Sequence, residues 1–241
     1  MKSLIALTST VMGSGKSTVA RMLERHHGYT KMAFAAPFKR VSEALFQALG
    51  HDATDVYRFV YDDWKEKPVA GLTQQCVREH IPLIARTLVE QTGASSLDVE
   101  RYLEFGSDPL PVFDLSMVGL FFRIREFLTR HLPTDEPLTS RRWQQLFGTE
   151  FGREMIHPDI WVRITMARAD TLPRVVIDDM RFPNEYEAVR AAGGVCYRVH
   201  RPGASVTSQH ASEGQLDGVT MPVVYNTHDL EYLRHQVAGI A

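Results

Sequence analysis

The run Gly13-Ser14-Gly15-Lys16-Ser17-Thr18 places two glycines, a lysine and adjoining hydroxyls where an anion could be held. Glycines let main-chain N–H groups converge on a phosphate that a side chain would block. A helix starting at the lysine adds the positive end of its dipole. Lys16 is then expected to reach the β- and γ-phosphates of ATP, and the Ser17 hydroxyl to ligate Mg2+. The full pattern G-x-x-x-x-G-K-[ST] asks for glycine at position 10, where this chain has Thr10. The nest of amides lies nearer the second glycine, so Thr10 is expected to alter the loop's entrance without removing the nest. The plain alternative is a glycine turn with an exposed lysine.

A second stretch, "RVVIDDMRFPNE" (174–185), puts acids at the end of an apolar run. Asp178 sits where a strand-end aspartate orients Mg2+ in phosphate-loop enzymes, which makes Ser17 and Asp178 the expected metal-side groups. Arg181 follows three residues later, and its guanidinium could clamp a second phosphate bidentately. Lys16, Arg181 and Asp178 are thus the expected catalytic set. A strand-end Asp–Arg ion pair of little energetic weight is the structural alternative. A glycine loop by itself fits kinases, GTPases, ATPases and transporters equally.

These residues need elements to hold them. "SLIALT" (3–8) reads as a buried strand, and "KSTVARMLERHHG" as a helix stopped by Gly28. Strand, glycine loop, helix is the order a phosphate loop requires. Met32–Phe34 reads as a second short strand, and Pro37 opens a helix running to Gly50. "YDDWKEKPVAGL" (61–72) reads as a loop, followed by helices over about 74–90 and 115–131. A helix with a glycine-marked bend (140–156) and another over 157–170 come next. Strands over 174–179, 195–202 and 222–227 alternate with helices over 184–194 and 228–240. The alternation predicts an α/β fold, a three-layer α/β/α core around a parallel sheet.

The chain has 241 residues, 44% of them apolar and 23% charged, which suits one large soluble domain. Its 27 basic and 29 acidic side chains give a net charge of −2, without the basic excess of a protein that coats nucleic acid. Stable nucleic-acid binding is therefore not expected. Cys76 and Cys196 stand far apart, which fits a reducing compartment. The N-terminal run lacks a signal-peptide shape, and no apolar stretch approaches a membrane span. The histidines lack metal-ligand spacing.

The segments "FAAPFK", "WKEKP", "SRRWQQLFGTEFGREMIHPDIWV", "IDDMRFPNE" and "HASE" follow the glycine loop in that order. Together they resemble the bacteriophage-type deoxynucleoside monophosphate kinases, relatives of adenylate and guanylate kinase in the P-loop superfamily. The resemblance covers residues 1–70 and 137–235. It implies a single P-loop kinase domain over 1–241, with a core over about 1–50 and 140–241. A largely helical monophosphate-binding lobe or insertion would occupy about 51–139, and a small lid about 200–215. It implies transfer of the ATP γ-phosphate to a dNMP, with ATP and Mg2+ required, in DNA precursor synthesis. If the chain is phage-encoded, the working place is the host cytoplasm, and relatives suggest a homodimer.

Carried over position by position, the resemblance makes Lys39, Arg141, Arg142, Gln145, Trp161, Asp179, Arg181, Asn184 and Glu185 the dNMP-binding set. Arg198, Arg201 and His210 fall in or beside the lid. Trp161 lies between Ile160 and Ile164 at helical spacing, so a core position is as open as packing by the acceptor base. Arg141-Arg142 also fits a solvated helix start. Two other functions stay open: another small P-loop kinase, acting on a cofactor precursor or a nucleic-acid end, and a non-catalytic nucleotide-binding protein.

Overall fold

The computed structural model describes residues 3–11, 13–92, 117–203 and 214–241. His210, much of the expected lid and part of the expected helical insertion lie outside them. The chain forms two compact units, one of residues 1–34 and 165–241, the other of residues 35–164.

The first unit is built on five parallel strands: β1 (Ser3–Thr8), β2 (Thr30–Met32), β3 (Arg174–Ile177), β4 (Val195–His200) and β5 (Val223–Tyr225). Their order is β2-β3-β1-β4-β5, all neighbours parallel, with Ile5 opposite both Val176 and Val195. β1 is therefore central and buried on both faces. Ile5 and Leu7 pack with Val19 and Leu23 of α1 (Lys16–His27) and Leu233 of α10 (Leu230–Ala238). Leu4 points the other way. There a Cβ on Gly194 would collide with Leu4 and with Val189 of α9 (Pro183–Ala191), so that helix closes down on the sheet. Alternate residues of one strand thus serve two helical layers. α1 ends where Gly28 takes φ 68° and returns its N–H to Leu23 O.

The second strand covers 30–32 rather than 32–34. Pairing decides this: Met32 is the last residue in register with β3, and its carbonyl accepts the Asp178 N–H at 3.2 Å.

The second unit is helical: α2 (Ala36–Ala48), α3 (Ala53–Tyr61), α4 (Gln74–Glu79), α5 (Ile81–Gln91), α6 (Met117–His131), α7 (Ser140–Leu146) and α8 (Ile160–Asp170). α8 runs on past the unit's last residue into the first. α3 falls where sequence pattern indicated no element. Asp52 caps it by accepting the Thr54 and Asp55 N–H groups at 2.8 and 2.9 Å. The helix expected over 74–90 is two, divided at His80 just before Pro82, which cannot donate to a preceding turn. The bend expected within 140–156 is a change of helix type: Phe147–Ile156 is a π-helix that continues directly from α7.

The units divide near 35 and 165, and the core explains why. Val41, Leu45 and Phe46 of α2 join Phe127, Trp143, Phe147, Phe151 and Trp161 in one apolar cluster with α3–α6. The rings of Trp143, Phe147 and Phe151 form a stack, with centroids 5.2 and 4.6 Å apart.

Candidate active site

The loop after β1 carries its chemistry in main-chain geometry. Gly13 and Gly15 take φ 73° and 99°, a left-handed conformation that glycine adopts without strain. Gly15 is also the N-cap of α1, and as glycine it offers no side chain to cap the first turn. The Ser14 hydroxyl is buried and makes no hydrogen bond among the described residues. Thr10 is not among the positive-φ residues, so its Cβ is tolerated where the general pattern has glycine. The entrance is closed by side chains instead. Lys16 Nζ donates to Ser9 Oγ, and Ser9 Oγ donates to Val11 O at 2.9 Å.

Two pockets meet this loop. One, of about 480 Å3, is lined by residues 13–18 together with Arg201, Asn226, His228 and Leu230. The other brings Lys16 together with Arg181, Arg198, Ser9 and Gln215. Three cations around one small cavity suit an anion with charge on several oxygens. Arg198 is anchored there: its Nη2 donates to Leu216 O at 2.6 Å and to Val219 O at 3.2 Å. Arg201 Nη1 approaches Gly13 O at 3.4 Å.

The acids of the 178–185 stretch serve the main chain. Asp179 Oδ1 accepts the Phe34 N–H at 2.7 Å. Glu185, 2% exposed, accepts the N–H groups of Arg181 and Phe182 at 2.7 and 3.1 Å through Oε2. Asn184 Oδ1 accepts the Glu185 N–H at 3.1 Å. These contacts fix the turn that carries Arg181 into its pocket. Asp178 pairs with Lys31 Nζ at 2.9 Å and is 8% exposed.

In the helical unit the expected residues separate into two groups. Trp161 is 1% exposed, and its indole N–H donates to Gly148 O at 2.7 Å. Of the two uses left open for it, this is the core one. Gly152 leaves the room: a Cβ there would overlap the indole. Arg141 and Arg142 lie exposed at the start of α7, where Arg141 bonds Glu66 and Thr139 caps the helix. Lys39 Nζ stands 5.2 Å from the centre of the Tyr61 ring. Burial and the neighbouring Glu43 push the Tyr61 phenol well above its ordinary value, so it stays a neutral ring under that cation. Gln145 continues α7.

Pattern reading missed Asn226, whose Nδ2 donates to Ser14 O at 3.0 Å. No local spacing connects residues so far apart. The one available signal is its position just after the apolar run of β5.

A parallel sheet ordered β2-β3-β1-β4-β5, with a glycine loop joining its central strand to a helix, defines a P-loop α/β protein of the nucleotide-binding class. Within that class the comparison is specific. A family model described as deoxynucleotide monophosphate kinase matches residues 3–237, and the chain belongs to that family. It is also similar to the deoxynucleoside-5'-monophosphate kinase of Escherichia phage T5, with 36% identity over 104 residues. That match spans 39% of this chain and 39% of the phage protein.

Proposed function

We propose that the protein transfers the γ-phosphoryl group of ATP to a deoxynucleoside monophosphate, giving ADP and the deoxynucleoside diphosphate. The observation that carries this reading is the joint lining of one pocket by Lys16 and Arg181, one from each motif stretch. Family membership supplies the acceptor class.

Phosphoryl transfer needs two anionic partners held in line, with their charge compensated. Residues 13–18 hold the donor phosphates through main-chain amides, Lys16 and the helix N-terminus. An oxygen of the acceptor phosphate attacks the γ-phosphorus, and the β–γ bridging oxygen leaves with ADP. That acceptor is already ionised, so no general base is required. Arg181 clamps the acceptor phosphate, with Asp179, Asn184 and Glu185 fixing its turn. Lys39, Arg141, Arg142 and Gln145 are assigned to the acceptor nucleotide, with Trp161 in the apolar core of the helical unit. Arg198 and Arg201 stand near the donor phosphates, beside the expected lid.

Among the described residues no cluster of three or more His, Cys, Asp or Glu could hold a metal. Mg2+ needs none here, because it keeps most of its water and takes substrate phosphate oxygens. The Ser17 hydroxyl beside the nest fits that donor set. Asp178, just after β3, is the second group assigned to the ion, its charge met by Lys31. Bound there, the ion would neutralise charge on the transferring phosphates.

This reading sets the activity in DNA precursor supply, in the host cytoplasm if the chain is phage-encoded, and the similarity to a phage kinase supports it. No helix of the described residues is long and apolar enough to cross a membrane. A homodimer belongs to the same reading, and sedimentation tests it. The deciding assay is coupled ADP release with ATP, Mg2+ and each dNMP in turn. Stimulation by at least one dNMP is expected. No stimulation by any of them would sink the proposal, and turnover with another acceptor would redirect it.

A further inference from the structure

We propose that Asn226 is a positioning residue that sets the direction of the Gly15 amide N–H in the phosphate nest. The inference rests on the reading of this loop as the ATP site. The Asn226 amide donates to Ser14 O at 3.0 Å across 212 residues of chain. Asn226 is itself held: it follows β5, and its own N–H donates to His200 O at the end of β4 at 2.8 Å.

The peptide unit between Ser14 and Gly15 is planar and trans, so its C=O and N–H point in opposite directions. A donor that pins the carbonyl on one side therefore aims the N–H at the other. Gly15 sits in a left-handed conformation that its flanking bonds could leave easily, so an external constraint on this plane has an effect. The amide also occupies the space beside the Gly15 α-carbon, where a Cβ would overlap Asn226 Nδ2. Gly15 is thus demanded twice, by its φ and by the clamp laid against it. The aimed N–H lies at the start of α1, where the helix dipole also favours an anion. Preorganised amides bind phosphate without a reorganisation cost at the moment of binding.

The test compares wild type, Asn226→Ala and Asn226→Asp by ADP titration calorimetry, by initial rates with ATP and a dNMP, and by melting. Asn226→Ala is expected to weaken ADP and raise KM for ATP by about tenfold, the scale of one lost hydrogen bond. KM for the dNMP and the melting temperature should stay at the wild-type values. Asn226→Asp keeps the shape but only accepts, so it should be worse than Ala. ADP affinity in the aspartate variant within twofold of wild type overturns the inference while leaving the ATP-site reading intact. So does a parallel fall of ADP affinity, dNMP affinity and melting temperature, which marks a packing role. Wild-type protein that fails to bind ADP overturns the reading of the loop and this inference with it. Should the aspartate variant fold poorly, Asn226→Ser, too short to reach Ser14 O, decides by the same criteria.

Discussion

The two units use their polar groups in opposite ways. In the sheet unit, polar side chains act on main-chain groups in and next to the pocket-lining segments: Asn226 on Ser14 O, Asp179 on Phe34 N–H, Glu185 on the Arg181 and Phe182 N–H groups. In the helical unit, the buried polar contacts serve packing. Trp143 donates to Ser42 Oγ at 3.1 Å and Trp161 to Gly148 O at 2.7 Å, each satisfying an indole inside an aromatic cluster. Arg141 and Arg142 stay at the surface. The difference teaches that a shared sequence segment can lie in a site or beneath one. Only burial and hydrogen-bond partners separate the two.

Four substitutions and one titration break or sharpen this contrast. The largest effect belongs to Lys16→Ala, which should cut the transfer rate by about 10³-fold, as loss of a preorganised charge at a transferring group does. Its melting temperature should match wild type; near-normal turnover would remove Lys16 from the site. Next, Trp161→Ala should cost about 3–5 kcal/mol of stability, read from denaturant unfolding. A stable variant with only a raised KM for the dNMP would place Trp161 on the nucleotide after all. Gly152→Ala drives a methyl into the same indole, and about 1–3 kcal/mol is the usual cost of such overpacking. Arg141→Ala removes an exposed ion pair with Glu66 and should change stability by less than about 1 kcal/mol. A larger change in its dNMP affinity would support the acceptor-site assignment.

The smallest effect is electrostatic. His157 in the helical unit is held below its ordinary pKa by partial burial and then by Arg163, with Asp159 acting weakly the other way. The neutral ring accepts the Asp159 N–H at Nδ1, 2.9 Å away. A folded value below the unfolded one favours the neutral form. Its stabilisation is therefore present above about pH 6.5 and is lost as pH falls from there through the folded value. Melting curves between pH 7.5 and 5 should show a slightly steeper acid loss for wild type than for His157→Asn.

The sheet unit was the more legible in sequence because its signals are local. Strand, glycines, lysine and helix follow one another, and three strands alternate with helices at ordinary spacing. The one displaced strand was set by pairing with β3, which no local pattern contains. In the helical unit, Asp52 followed by Val56, Phe59 and Val60 did carry a cap and a helical stripe, but the stretch is short. The depth of Trp161 could not be read, since Ile160 and Ile164 give one spacing to a core helix and to a pocket wall. Asn226 was illegible for a simpler reason: its partner is a carbonyl, and every residue has one.

The π-helix of residues 147–156 has a consequence for how the gene can vary. A π turn bonds each N–H to the carbonyl five residues back, as His157 does to Gly152 at 2.9 Å. Substitutions leave that count alone, but losing one codon would restore the ordinary four-residue step. The residues beyond would then turn about the axis and carry Gly152 away from the indole it makes room for. At its exposed positions, such as Thr149 and Glu154, this segment should therefore accept changes of letter but not of length, a pattern that scanning deletions would expose and scanning alanines at those positions would miss.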